Sequence, residues 1–123
     1  MPDIEFIRDY ALKKKDVTEE FPFDYVTLVF KVKGKIFILL SLDDNPTELN
    51  LKCDPELALD LRERFESVRP GYHMNKKHWN TVVLDGSIPA KEILKMIDHS
   101  YDMVVKGLPK GKRGVKKKTA TKK

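Results

Sequence analysis

The chain has 123 residues, 41% hydrophobic and 35% charged, which is typical of one domain with a core of its own. Its only cysteine, Cys53, excludes an intramolecular disulfide and favours a reducing compartment. The longest apolar run, residues 36–40, is far too short to span a membrane, and the N-terminus lacks the pattern of a signal peptide. We therefore expect a soluble cytoplasmic protein without a membrane partner.

The net charge of +5 is unevenly distributed. Nine of the 24 Lys and Arg residues lie in residues 106–123, which contain no acid. Residues 1–105 hold the other 15 against all 19 Asp and Glu, so their net charge is −4. A basic tail is attracted to polyanions such as nucleic acids. The preceding part can bind phosphate only through a local patch.

An amphipathic helix is predicted first, over about residues 3–15. Asp3 can cap it, and apolar residues recur at helical spacing from Ile4 to Ala11. Three consecutive lysines fall in the predicted last turn, where cations suit the helix dipole. Residues 16–25 are predicted to form a loop, with solvated acids and aromatic rings that anchor it on the core.

Three antiparallel strands are predicted next. Apolar and polar residues alternate over 26–32, and Lys33-Gly34 is a turn signal because glycine readily adopts a positive φ. The return strand, 35–42, is apolar at nearly every position and therefore predicts a central strand. After a polar turn, 49–52 alternates again and predicts a third strand. Short turns between sequential strands indicate an antiparallel meander.

The second half predicts a helix, a strand and a helix. Asp54-Pro55 begins the first helix with a capping side chain followed by proline at the first helical position. Residues 79–84 predict a strand, and Pro89 begins a last helix for which Gly107 is a suitable end. The order α-β-β-β-α-β-α predicts an α+β fold, with helices packed on one face of an antiparallel sheet.

The end of the sequence has a different composition. From Lys110 onwards it is rich in Lys, Gly and Thr, and Val115 is its only apolar residue of any size. Such a segment cannot bury enough apolar surface to fold. We therefore expect one domain over residues 1–109 and a disordered lysine-rich tail over 110–123.

The sequence patterns give little support for a catalytic site or a metal site. His73 and His78 lie five residues apart, outside any zinc-binding pattern. The Asp-His-Ser run at 98–100 resembles a triad, but on a helix the three side chains point about 100° apart. Cys53 lies beside a helix start, which lowers a thiol pKa, although packing is the more usual role. We expect no catalytic residue, metal site or cofactor.

Residues 69–80 are the most distinctive segment, because they hold two of the three histidines, the only tryptophan and a Pro-Gly turn. Cations can neutralise phosphates, amides and imidazoles can hydrogen-bond to them, and Tyr72 and Trp79 can stack on a base or pack beneath the loop. The alternative is structural: the aromatic residues seal the core and the lysines are solvated. The candidate nucleic-acid contacts are Arg69, His73, Asn75, Lys76, Lys77, His78 and Asn80, followed in the tail by Lys110, Lys112, Arg113, Lys116, Lys117 and Lys118.

Three segments in order, 50–55 (Asn-Leu-Lys-Cys-Asp-Pro), 70–81 (Pro-Gly-Tyr-His-Met-Asn-Lys-Lys-His-Trp-Asn-Thr) and 98–101 (Asp-His-Ser-Tyr), resemble the MmcQ/YjbR family of small bacterial proteins. The similarity covers about residues 1–109. It implies a frataxin-like (CyaY-like) α+β fold and the family label of DNA-binding protein, which rests on likeness to a double-wing DNA-binding domain. It assigns no catalytic residue. The acidic first helix that an iron-binding role needs is weak here.

Our first hypothesis is a non-enzymatic, monomeric DNA-binding protein, weakly sequence-specific at most. It would use the 69–80 loop and the basic tail. The alternative is a protein-interaction or small-ligand-binding module that uses the surface formed by Tyr72, His73, His78 and Trp79. The net negative charge of residues 1–105 favours this alternative, because it repels DNA.

Overall fold

The computed structural model describes residues 3–71 and 74–108. In chain order they form α1 (Ile4–Leu12), β1 (Val17–Glu20), β2 (Thr27–Val32), β3 (Lys35–Ser41), β4 (Glu48–Lys52), α2 (Pro55–Arg64), β5 (Val68–Pro70), β6 (Trp79–Val83) and α3 (Ala90–Lys106). The strands form one sheet in the order β1-β2-β3-β4-β6-β5, and every neighbouring pair is antiparallel.

The core lies between the three helices and one face of the sheet. Buried residues of α1, α2 and α3 form a single cluster with alternate residues of the strands, such as Leu28 and Phe30 on β2 and Leu49 and Leu51 on β4. Because successive strand residues face opposite sides, this alternation places all three helices on the same face. The predicted α+β class, with helices on one face of an antiparallel sheet, is confirmed.

Local sequence signals fix the β2–β3 hairpin and the starts of two helices. Lys33 has φ 51° and Gly34 has φ 82°, the positive values that a two-residue turn between twisted strands requires. The carboxylate of Asp3 accepts from the backbone N–H of Phe6 at 2.9 Å and caps α1. The carboxylate of Asp54 accepts from two backbone N–H groups at 3.1 and 3.2 Å and caps α2. These predictions are confirmed.

The first helix is shorter than predicted, since it ends at Leu12. The ammonium group of Lys14 instead binds the Asp98 carboxylate at 2.6 Å and lies 5.1 Å from the ring centroids of both Tyr10 and Tyr101. One of the three predicted helix-end lysines therefore joins the chain after α1 to α3. The chain then reverses at Asp16, which has a φ of 63°.

The prediction of an unbroken loop over 16–25 is wrong. Val17–Glu20 forms edge strand β1 against β2. Ion pairs hold both of its acids, Glu19 with Arg8 at 2.6 Å and Glu20 with Lys31. A short strand with charged side chains is typical of a protected sheet edge. Such a strand has almost no apolar periodicity, so the sequence pattern did not predict it.

A second strand was also missed, because β5 (Val68–Pro70) forms the opposite edge of the sheet and overlaps the start of the predicted 69–80 loop. At the end of α3, Gly107 has a φ of −83°, so it ends the helix in a right-handed rather than a left-handed conformation. The predicted tail and its boundary at Pro109 lie outside the described residues. Every helix within 3–71 and 74–108 is too short or too polar for a bilayer crossing.

Candidate nucleic-acid interface and the cavity behind it

The connection between β5 and β6 closes with a tight turn over residues 74–78. The backbone N–H of Met74 donates to the Gly71 carbonyl at 3.0 Å, and that of His78 donates to the Asn75 carbonyl at 3.1 Å. The Asn75 side-chain oxygen accepts from the Lys77 N–H at 2.9 Å. Asparagine favours such turns because its side chain binds the backbone two residues further on. The turn therefore presents Asn75, Lys76 and Lys77 at the surface, where all three are exposed.

A side chain would be crowded where this connection leaves β5. The N–H of Gly71 donates to the Trp79 carbonyl at 2.9 Å. A Cβ at position 71 would lie 3.0 Å from both the Cβ and the carbonyl oxygen of Trp79. Trp79 itself is half-buried, in accord with its expected packing beside the loop. The Pro70-Gly71 pair therefore marks the place where the backbone after β5 approaches the start of β6 closely.

One guanidinium group of α2 anchors the turn. Arg62 donates from Nε to the Asn80 side-chain oxygen at 2.7 Å and from Nη2 to the Lys76 carbonyl, with a longer contact of 3.4 Å to the Trp79 carbonyl. Three acceptors thus share one planar, charged donor. The sequence did not indicate a role for Arg62. This residue belongs to a charged run, Arg62-Glu63-Arg64, which is typical of a solvated helix end.

Asn80 is buried, with 2% of its surface exposed, and the predicted nucleic-acid contact is inconsistent with this position. Its β4 partner is the core residue Leu51, so both side chains face the helices. Its Oδ1 accepts from Arg62, whereas its Nδ2 is buried without a hydrogen-bond partner within residues 3–71 and 74–108. Strand alternation with the apolar Val82 was the signal that could have placed it inside.

The other predicted contacts are divided between surface and interior. Arg69 is exposed on edge strand β5, where it pairs with Thr81. His78 is half-buried, and its carbonyl accepts from the Cys53 N–H at 2.8 Å. His73 and its neighbour Tyr72 lie outside the described residues. So do the predicted tail contacts Lys110, Lys112, Arg113, Lys116, Lys117 and Lys118.

A cavity of about 270 Å³ lies behind Asn80, between α2, α3 and the sheet. Its apolar lining comes from Leu51, Cys53, Leu57, Leu61, Val82 and Met96, and its polar lining from Lys52, Arg64, Asn80, Glu92, Lys95 and His99. Glu92 lies between two of the cations, 3.5 Å from Arg64 and 3.5 Å from Lys95. The cavity therefore combines apolar walls with charged side chains and one buried amide.

Cys53 belongs to the cavity wall and is unsuited to thiolate chemistry. Burial, with a smaller contribution from the neighbouring Asp54 carboxylate, raises the pKa of its thiol to about 11. These effects outweigh any attraction from the α2 N-terminus, so the neutral thiol persists at physiological pH. The geometry favours packing, the more usual of the two roles weighed for this residue.

Each residue of the Asp-His-Ser run on α3 has its own hydrogen-bond partners. The Asp98 carboxylate accepts from the Tyr10 hydroxyl at 2.7 Å. His99 accepts through Nε2 from the Asp54 N–H at 3.0 Å. Ser100 donates to the Phe37 carbonyl at 2.6 Å and accepts from the Lys52 N–H at 2.9 Å. The residues tie α3 to α1, to the start of α2, to β3 and to β4, and they form no relay, as helical spacing predicts.

The helix-free face of the sheet carries an acidic concavity beside the 21–26 loop. Asp24, Asp44 and Glu48 contribute to its lining together with Phe23, which is 65% exposed. The lining residues include no cation. Within the described residues, no group of three His, Cys, Asp or Glu is arranged to hold a metal ion. This concavity repels a polyanion.

Fold and site together define a small α+β domain with a six-stranded antiparallel sheet, a lysine-bearing turn and a cavity under the helices. The chain belongs to the YjbR family, whose model matches residues 12–103. It is 36% identical over 110 residues to YjbR of Escherichia coli K12, an alignment that covers 89% of this chain and 93% of that protein. It is 41% identical over 106 residues to YbdF of Escherichia coli O157:H7, covering 86% and 87%. The crystal structure of a Deinococcus radiodurans protein with a DUF419 domain superposes with a TM-score of 0.86 at 40% identity, covering 92% of this chain and 86% of that one.

Proposed function

We propose that the chain is a non-enzymatic, monomeric DNA-binding protein of the cytoplasm, weakly sequence-specific at most. Arg69, Asn75, Lys76 and Lys77 would contact the phosphate backbone, and the basic tail would add non-specific affinity. The turn over residues 74–78, which carries Lys76 and Lys77, is called the lysine turn below. The observation that carries this proposal is that Arg62 of α2 anchors the lysine turn by binding the Lys76 carbonyl. The family label of DNA-binding protein agrees with it, although fold similarity alone does not establish function.

Anchoring matters because binding is opposed by the entropy lost on ordering a loop. The 74–78 turn is already fixed by its own hydrogen bonds and by Arg62. Two adjacent ammonium groups can then engage phosphates with little further ordering of the backbone. Phosphate contacts of this kind position a protein on the duplex without reading its sequence, which is why we propose weak specificity.

Charge makes the tail important to the proposal. Residues 1–105 have 15 basic and 19 acidic residues, and the acidic concavity around Asp24, Asp44 and Glu48 repels DNA. The duplex would therefore approach the surface that carries Arg69 and the lysine turn. Eight cations in residues 110–123 would offset the remaining repulsion.

The test is the salt dependence of duplex-DNA binding by the full chain and by a variant that lacks residues 110–123. Each phosphate neutralised on B-DNA contributes about −0.9 to the slope of log K against log salt. Loss of eight cations would reduce the slope by up to about seven units if all of them engage. Circular dichroism of both chains checks that the domain remains folded. An unchanged slope would exclude the tail from binding, and no binding by either chain would refute the proposal.

The second candidate function is small-ligand binding. The surface first considered for it includes Tyr72 and His73, which lie outside the described residues. The observation that favours a ligand is instead the cavity of about 270 Å³, whose lining includes Asn80, a residue with a buried amide nitrogen that lacks a hydrogen-bond partner among the described residues. Fluorescence of Trp79, half-buried beside the lysine turn, separates the two functions. A response to duplex DNA supports the first, and a response only to small molecules supports the second.

A further inference from the structure

We propose that the cavity between α2 and α3 binds a small carboxylic acid whose apolar body is no larger than about naphthalene. Its carboxylate would accept a hydrogen bond from Nδ2 of Asn80. This ligand site is separate from the lysine turn and does not depend on DNA binding. Three features of the cavity support it: its unpaired donor, its apolar walls and its charge.

The unpaired donor is the Asn80 side-chain amide. Asn80 is 98% buried, since only 2% of its surface is exposed. Arg62 has only N–H donors, so the amide atom that it contacts at 2.7 Å must be the oxygen. The NH₂ group consequently points away from Arg62, and it is buried without a partner among the described residues, in a side chain that belongs to the lining of the cavity. Buried amide donors nearly always have an acceptor, and a ligand oxygen would supply one here.

The walls set the size and the character of the ligand. Leu57 and Leu61 of α2, Met96 of α3 and Leu51 and Val82 of the sheet give the cavity an apolar lining. An apolar cavity of roughly 150 Å³ holds benzene, so the volume here of about 270 Å³ is suited to a body of about two fused rings. A flat aromatic or branched aliphatic group fits this description, whereas a nucleotide or a sugar phosphate does not.

Charge selects an acid over an amine or a neutral compound. On the helix side of the sheet the lining contains the cations Arg64 and Lys95 and one anion, Glu92, whereas the side chain of Lys52 alternates with that of Leu51 and faces the other side. Glu92 is already shared between Arg64 and Lys95 at 3.5 Å. The lining therefore has an excess of positive charge although residues 1–105 as a whole are negative. A carboxylate is stabilised there both by this excess and by the amide donor.

The experiment uses the full chain labelled with ¹⁵N and three probes of nearly equal size: 1-naphthoate, naphthalene and 1-naphthylmethylammonium. Titration followed by amide chemical shifts gives both the affinity and the position of binding. We expect 1-naphthoate to bind most tightly, with the largest shifts in α2, α3 and the Asn80 strand. Binding of the ammonium probe as tight as that of 1-naphthoate, or failure of all three at millimolar concentration, would overturn the proposal.

Variants test the role of Asn80 directly. Asn80→Asp keeps an oxygen for Arg62 but replaces the NH₂ donor with an anionic acceptor. We expect it to weaken 1-naphthoate binding by at least about tenfold, the loss that corresponds to one good hydrogen bond. Asn50→Asp is the matched control, because Asn50 lies on the adjacent strand, pairs with Thr81 and faces the opposite side of the sheet.

A second variant covers the case in which Asn80→Asp fails to fold. Leu57→Trp enlarges a half-buried wall residue of α2 and should fill the cavity, which would abolish 1-naphthoate binding. Undiminished binding by a folded Asn80→Asp or Leu57→Trp chain would overturn the proposal. Equal losses in Asn80→Asp and Asn50→Asp would also overturn it, because the effect would then be unrelated to the cavity.

Discussion

Arg62 on α2 donates a hydrogen bond of 2.7 Å to the side-chain oxygen of Asn80 on β6, and this contact separates the two candidate sites. On the outer side, the same guanidinium binds the Lys76 carbonyl of the lysine turn. On the inner side, Asn80 belongs to the lining of the cavity between α2 and α3. One partly buried pair therefore positions a surface turn and one wall of the cavity.

Replacement of Arg62 by alanine should destabilise the domain. The change leaves the Asn80 oxygen as well as its nitrogen buried without a partner, and it frees the Lys76 carbonyl. Because a hydrogen bond to a charged group contributes about 1.5–3 kcal/mol, we expect a loss of about 2–3 kcal/mol in the free energy of unfolding. Urea unfolding followed by Trp79 fluorescence measures it.

Arg64→Ala is the control for this prediction. Arg64 lies two residues further along the same helix and makes ion pairs of 3.6 Å with Asp60 and 3.5 Å with Glu92. These pairs are long and largely solvated, so we expect a loss below about 1 kcal/mol. Equal losses in the two variants would contradict the role given to Arg62.

Much of the fold follows from local signals in the sequence. Lys33-Gly34 predicts its turn because few residue pairs tolerate two positive φ angles, and Asp54-Pro55 predicts a helix start because both residues suit it. The edge strands β1 and β5 were missed, since short, polar strands depend on a partner strand rather than on their own periodicity.

The candidate site was harder to predict than the fold. Composition drew attention to residues 69–80, and Arg69, Lys76 and Lys77 are indeed exposed. Composition could not show that Asn80 faces inward, because its orientation depends on the pairing of β6. Nor could it find Arg62, which lies 18 residues from Asn80 in the chain. Both features depend on contacts between elements that are distant in the chain, and the sequence pattern does not show such contacts.

Ser100 compensates for a register shift between β2 and β3, so its replacement by alanine should lower the stability of the domain. The β2–β3 register shifts at Phe30/Lys31, which leaves Phe37 without a partner on β2. The fully buried Ser100 hydroxyl donates to the Phe37 carbonyl and accepts from the Lys52 N–H. Ser100→Ala removes both bonds, and we expect a loss of about 2–4 kcal/mol in the free energy of unfolding.

Ser41→Ala is the matched control, because the Ser41 hydroxyl makes a single exposed hydrogen bond to Asp44 at 2.6 Å. Chemical denaturation should show a loss below about 1 kcal/mol for this variant. A Ser100→Ala chain as stable as Ser41→Ala would mean that Ser100 does not support the bulged strand.

The Cys53 thiol should be unreactive in the folded chain. With a pKa of about 11 instead of its ordinary 9.0, it would hold about a hundredfold less thiolate at pH 8 than the unfolded chain. Alkylation by iodoacetamide, followed by mass spectrometry, should therefore be much slower in the native chain than in urea. Equal rates would contradict the burial of Cys53.

The same shift in the pKa of Cys53 predicts how stability depends on pH. Folding raises the pKa, so the thiol's contribution is fully present below pH 9 and is lost as pH rises from about 9 to 11. Cys53→Ala should show less of this alkaline decline. A decline of the same size in the variant would assign it to other groups.

The most direct test of the proposed function is the DNA affinity of the Lys76→Ala/Lys77→Ala chain across a range of salt concentrations. Loss of two phosphate contacts should reduce the slope of log K against log salt by about 1.8 and weaken binding to all sequences alike. Lys35→Ala/Lys91→Ala removes the same charge from two other exposed positions and should have a much smaller effect. Equal slopes and affinities for the two double variants would contradict DNA binding by the lysine turn.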